Sequence, residues 1–141
     1  MKNFVWLALL PSLVLSSDVM AFNAITRLTQ VPITDADVGS ALSSGLLKQY
    51  DQVFPDKQYG VRVVAFSRGI PAGQDAVYLS LGLCRRLPNG DFLAEHATNS
   101  TIYVQDSKQS LQQKRARMLA ALTRLAREYS EAMLASRQKV K

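Results

Sequence analysis

The chain has 141 residues, a formal net charge of +6, 48% hydrophobic residues and a single cysteine, Cys84. The roughly 120 residues after the first 21 make one domain large enough to bury a core unaided. One cysteine excludes an intrachain disulfide framework, and the absence of repeats or low-complexity tracts excludes a solenoid or a biased disordered chain.

The first segment reads as an export signal. Lys2 supplies a positive charge, Phe4 to Leu15 is apolar except at Pro11 and Ser12, and Val19-Met20-Ala21 offers a cleavage site. Spanning a bilayer takes about 20 apolar residues, more than this run contains. Residues 1–21 are therefore expected to be removed. That leaves residues 22–141 as one periplasmic domain with no transmembrane span. No cysteine adjoins the cut, so a bacterial lipid anchor there is not expected.

Phe22 to Val31 reads as a short edge strand. A helix is expected from Thr34 or Asp35, where the side chains can cap and the acids favour the helix N-terminus. Val38, Ala41, Leu42, Gly45, Leu46, Tyr50 and Val53 recur at helical spacing, and Pro55 ends the run. Gly39 and Gly45 are places where another element could approach closely. Val61 to Phe66 reads as a strand, Arg68 to Gly73 as a turn, and Val77 to Leu83 as an alternating strand. Asn89-Gly90 suggests a two-residue hairpin turn, with Phe92 to Val104 as the return strand. A long helix starts at Asp106 or Ser107 and reaches about residue 136, with Leu111, Met118, Leu122, Leu125, Tyr129 and Ala132 as its apolar stripe. The expected fold is α+β: a small antiparallel sheet of three to four strands packed by an N-terminal and a long C-terminal helix. A helix about 45 Å long exceeds what one small sheet covers, so part of it is expected to meet another copy in a homo-oligomer.

Catalytic chemistry finds little support. Cys84 and His96 are the sole cysteine and histidine. A two-residue turn at Asn89-Gly90 places Cys84 opposite Glu95 and His96 opposite Leu83, hence on opposite faces, which argues against a Cys–His dyad. In an oxidising compartment a lone cysteine is either buried and inert or pairs between chains, and burial is favoured because Cys84 sits inside a strand pattern. No ligand spacing suggests a metal, Asp35 and Asp37 read as helix N-terminal charges, and Gly69 and Gly73 match no phosphate loop. The sequon Asn99-Ser100-Thr101 sits within a strand. Neither cofactor nor catalytic residue is expected, with a small hydrolase using His96 as a minor alternative.

The charge is unevenly placed. Residues 108–141 carry nine Lys/Arg and two Glu, whereas residues 22–107 carry seven Lys/Arg and eight Asp/Glu. Lys114, Arg117, Arg124 and Arg127 share one helix face, and Arg115 falls at the wet edge of the apolar stripe. These four, with Arg85 and Arg86, are the candidate partner-binding residues. An exported protein rarely meets nucleic acid, so an acidic protein or anionic lipid suits the strip better than the nucleic acid that basic stripes usually indicate. The plain alternative is a solvated helix face.

In order of features the chain resembles the periplasmic E component of the curli amyloid export system, a curli secretion accessory protein. The resemblance runs through Val31-Pro32 and Thr34-Asp35, the helix ending in Tyr50 to Phe54, the Tyr59-to-Phe66 strand, Arg68 with Pro71-Ala72, the Val77-to-Leu83 strand and the charged C-terminal helix. Ser67 stands where the family usually has an acid, and both the Asn89-Gly90 hairpin and the basic helix depart from the pattern. The resemblance implies a non-enzymatic adaptor that meets an outer-membrane secretion channel and a secreted amyloid subunit. The rival reading is a periplasmic binding or inhibitor protein of the immunity type.

Overall fold

The computed structural model describes residues 22–139, except for the side chains of residues 96 and 97. The leader expected over residues 1–21 lies outside that range. The described elements are β1 (Asn23–Thr29), α1 (Asp35–Gly45), α2 (Tyr50–Val53), β2 (Tyr59–Ile70), β3 (Gln74–Arg86), β4 (Phe92–Asp106) and α3 (Leu111–Gln138). The strands form one sheet in the order β1-β2-β3-β4. The α+β class holds, but the sheet is mixed rather than antiparallel. β1 runs parallel to β2, with Ala24 level with Val61 and Leu28 with Ala65. The intervening helices carry the chain back to its starting end, which is what a parallel neighbour requires. The other two pairings are antiparallel.

Thr34 caps α1. Its hydroxyl accepts from the Asp37 N–H at 3.2 Å, and the Asp37 carboxylate accepts from the Thr34 N–H at 3.0 Å. The helix expected to continue to Val53 breaks after Gly45. A Cβ on Gly45 would stand 2.3 Å from the Thr123 carbonyl oxygen and 2.7 Å from the Ala126 Cβ. Glycine thus lets α1 cross α3 at backbone contact. Past the break, the Leu47 N–H donates to the Ser130 hydroxyl at 3.1 Å, and the Tyr50 and Tyr129 hydroxyls meet at 2.8 Å. Two buried polar groups of α3 therefore hold the broken segment in place. Gly39 has open space around it and serves no such contact.

Both hairpins differ from expectation. β2 continues to Ile70, and the turn tightens to Pro71, Ala72 and Gly73, with Ala72 at φ 69° and Gly73 at φ 68°. At the second hairpin the Gly90 N–H donates to the Leu87 carbonyl at 2.9 Å. Proline suits the second position of the four-residue turn this bond closes, and Gly90 takes φ 89° after it. Asn89-Gly90 is therefore not a two-residue turn, and the register moves by one: Cys84 lies opposite Ala94, not Glu95. A second irregularity follows between Gly82 and Cys84, beyond which Gly82 pairs with Thr98.

One face of the sheet is packed by helices. Val61, Val63 and Ala65 of β2 and Val77, Leu79, Leu81 and Leu83 of β3 meet Val38 and Leu42 of α1 and Met118, Leu122, Leu125, Ala126, Tyr129 and Met133 of α3. α3 starts later than expected, at Leu111, capped by Ser110 with a reciprocal bond to Gln113. Two residues assigned to its apolar stripe are exposed: Leu111, at 74%, and Ala132. Leu111 falls two turns before Met118, the first buried residue of α3, and Met133 rather than Ala132 continues the stripe.

Candidate functional site

Of the four helix cations expected to face a partner, two are engaged with other elements of the domain and two stay exposed. The Lys114 ammonium donates to Asp75 Oδ2 at 2.9 Å and to the Ser107 carbonyl at 2.7 Å, and both charged side chains are about 15% exposed. The Arg117 guanidinium lies 4.7 Å from the centre of the Tyr103 ring. Arg124 stands 3.8 Å from Glu128, both well exposed, and Arg127 is exposed. Arg85 and Arg86 belong to a different region. They end β3, whereas Asp75, the anchor of Lys114, lies next to its start, about 33 Å away along an extended strand. Arg85 pairs with Glu95 at 3.4 Å, and Arg86 lies over the Phe92 ring at 5.5 Å. The six residues therefore do not form one surface.

Arg115 sits at the half-exposed edge of the stripe, as its spacing suggests, and bridges to Asp37 on α1. The Arg115 guanidinium and the Thr34 backbone N–H hold the Asp37 carboxyl at about 2, below the usual 3.8. A lowered carboxyl favours the folded state above its ordinary value. That contribution is present above about pH 4 and is lost as pH falls towards 2. Asp35 likewise accepts a bond from the Thr26 hydroxyl at 2.6 Å, tying α1 to β1.

Cys84 is a buried free thiol. Burial pushes its ionisation upward, against the opposing pull of Arg62, which leaves it a poor nucleophile. The observed register removes the premise that placed Cys84 and His96 on opposite faces, and the His96 side chain lies outside the described residues. No group of three His, Cys, Asp or Glu able to hold a metal occurs among the described residues. No helix among them is long and apolar enough to cross a membrane.

The face of the sheet turned away from the helices is the feature that sequence reasoning missed. Phe66, Tyr78 and Ile102 stand level across β2, β3 and β4. The Phe66 and Tyr78 rings stack with centres 5.0 Å apart. Val64 and Ser80 form the row on one side, Arg68, Ala76 and Val104 the row on the other. Phe66 is 42% exposed, Val104 43% and Ile102 68%, and no described element packs over them. Arg27 of β1 stands level with Val64, and Ile25 with Arg62. Between β1 and β2 lies a groove of about 640 Å³ lined by Arg27, Thr29, Gln30, Val64, Phe66, Ser67 and Arg68. The signal was available: Arg62, Val64, Phe66 and Arg68 alternate with the buried Val61, Val63 and Ala65.

No protein-family model matches the chain, and no protein of curated function matches it by sequence. Among solved structures it is similar to a minor lipoprotein from Acinetobacter baumannii, at 14% identity and a TM-score of 0.49, over 83% of this chain and 94% of that one.

Proposed function

We propose that this chain is an exported, non-enzymatic adaptor that assists secretion and assembly of curli-type amyloid fibres by binding an outer-membrane channel and the fibre subunit. The observation that carries the adaptor reading is the bare outer face of the sheet. Large apolar residues at the centre of an otherwise well-packed domain surface mark a contact surface for a protein. The order of features shared with the curli accessory family supplies the setting. The buried, upward-shifted Cys84 thiol supports the non-enzymatic part.

Deleting the gene and measuring surface display of the secreted amyloid subunit tests this reading. The expected outcome is loss of display, restored by the wild-type chain. Display that continues at the wild-type level overturns the export role. Light scattering of the purified protein separates the adaptor from an immunity-type inhibitor: a multi-subunit assembly supports the first, and a monomer or dimer that neutralises a toxin supports the second.

A further inference from the structure

The charges of residues 22–107 balance to nearly zero in sequence, but the fold separates them by face. Alternation and register place Arg27, Arg62, Arg68 and Arg86 on the outer face of the sheet, four of the seven cations of that segment. Of its eight acids, only Asp106 falls there, at the far end level with Gln74. Asp35 and Asp37 belong to α1 and Asp51 to α2, Asp56 and Asp91 lie in loops outside the strands, Asp75 is engaged by Lys114, and Glu95 by Arg85. None of the ion pairs among the described residues uses Arg27, Arg62 or Arg68. The bare face is therefore a row of exposed apolar and aromatic groups flanked by guanidinium groups that no carboxylate satisfies.

We propose that this face binds an acidic, aromatic-bearing polypeptide segment, with Arg27 and Arg68 as the carboxylate-binding pair and Phe66 as the apolar contact. The proposal deepens the adaptor reading and rests on it. Arg27, Arg68 and Phe66 line the same groove, so one carboxylate and its apolar neighbour can be taken together. A guanidinium presents a planar fork that matches a carboxylate with two parallel hydrogen bonds. The Phe66–Tyr78–Ile102 row continues the apolar contact across three strands. A second copy presenting the same face would set arginines against arginines, so self-association through it is opposed. A concave groove suits an inserted side chain better than a flat bilayer surface.

The test uses the full chain and three short synthetic peptides of one length: an alternating Asp–Phe peptide, its Asn–Phe counterpart and a Lys–Phe counterpart. Phosphatidylglycerol vesicles and single-stranded oligothymidine provide the other anionic probes. Titration followed by amide NMR shifts reads both affinity and location. The expected result is binding of the Asp–Phe peptide at least about tenfold tighter than the Asn–Phe peptide, weakening as salt rises. Shifts should centre on Val64, Phe66, Arg68 and Ile102. An Arg27→Gln/Arg68→Gln variant should lose about tenfold in affinity for the Asp–Phe peptide. It should keep the wild-type circular dichroism spectrum, because both side chains are exposed. Equal affinity for the Asp–Phe and Asn–Phe peptides, or shifts confined to α3, would overturn the proposal. Stronger binding to the vesicles or the oligonucleotide than to the Asp–Phe peptide would also overturn it, in favour of a lipid or nucleic-acid surface. These outcomes are separable from the adaptor reading, since subunit display in cells is scored independently of peptide binding.

Discussion

The two faces of the same sheet are made from alternate residues of the same strands, yet they end in different chemistry. Towards the helices, Val61, Val63, Ala65, Leu79 and Leu81 are almost fully buried against α1 and α3. Away from them, Phe66, Ile102 and Val104 remain exposed beside free arginines. The inner face is almost wholly apolar, whereas the outer face sets Val64, Phe66, Ile102 and Val104 among Arg62, Arg68 and Ser80. The inner face also received the helices, and Gly45 lets α1 and α3 meet there at backbone contact. The inner face should carry stability and the outer face should carry recognition.

The largest expected effect lies on the inner side. Leu122→Ala removes a fully buried side chain from the centre of α3 and should cost about 3 kcal/mol in urea unfolding, with peptide binding unchanged once the variant is folded. A cost within about 0.5 kcal/mol would mean that α3 is not the principal cover of the sheet. Next is Lys114→Gln, which weakens the link from α3 to Asp75 and to the Ser107 carbonyl. It should cost about 2 kcal/mol, because both bonds involve a charged, mostly sheltered group. If stability is unchanged and partner binding falls, Lys114 is a contact residue after all.

Tyr129→Phe should be milder, about 1 kcal/mol for the lost Tyr50–Tyr129 hydroxyl bond. This pair also sets a pH limit. Burial pushes the Tyr50 phenol up to about 12 and raises Tyr129 as well. The folded state holds both phenols neutral, so their contribution is complete below about pH 10 and declines as pH rises towards 12. Wild-type stability should therefore fall over that window, and the fall should be shallower in Tyr129→Phe.

The smallest stability effect belongs to the outer face. Ile102→Ser should change unfolding by no more than about 0.5 kcal/mol and should still weaken the Asp–Phe peptide. A loss of stability as large as that of Leu122→Ala would mean the face is covered within the folded chain.

Much of the inner side was legible in the sequence. The Thr34 cap, the helical spacing through Leu42 and the alternation from Val77 to Leu83 all follow from local rules, and each element formed. Gly45 was legible as a point of close approach, although its position as the end of α1 was not: the crossing partner, Thr123, lies in a helix far along the chain. The hairpin was misjudged because Asn89-Gly90 is a strong local signal and Pro88 is a stronger constraint on where the turn begins. The basic strip on α3 followed correctly from spacing, but spacing cannot show that Asp75 and Tyr103 lie beneath it. The outer face was overlooked because its four arginines are diluted in sequence by acids that the fold sends elsewhere.

The most direct measurement is arginine-reactivity footprinting by mass spectrometry, with and without the Asp–Phe peptide. Separation of the two faces predicts protection of Arg27, Arg62 and Arg68, with Arg124 and Arg127 on α3 unchanged. Protection confined to Arg124 and Arg127, with the sheet-face arginines as reactive as before, would contradict it and return recognition to the helix.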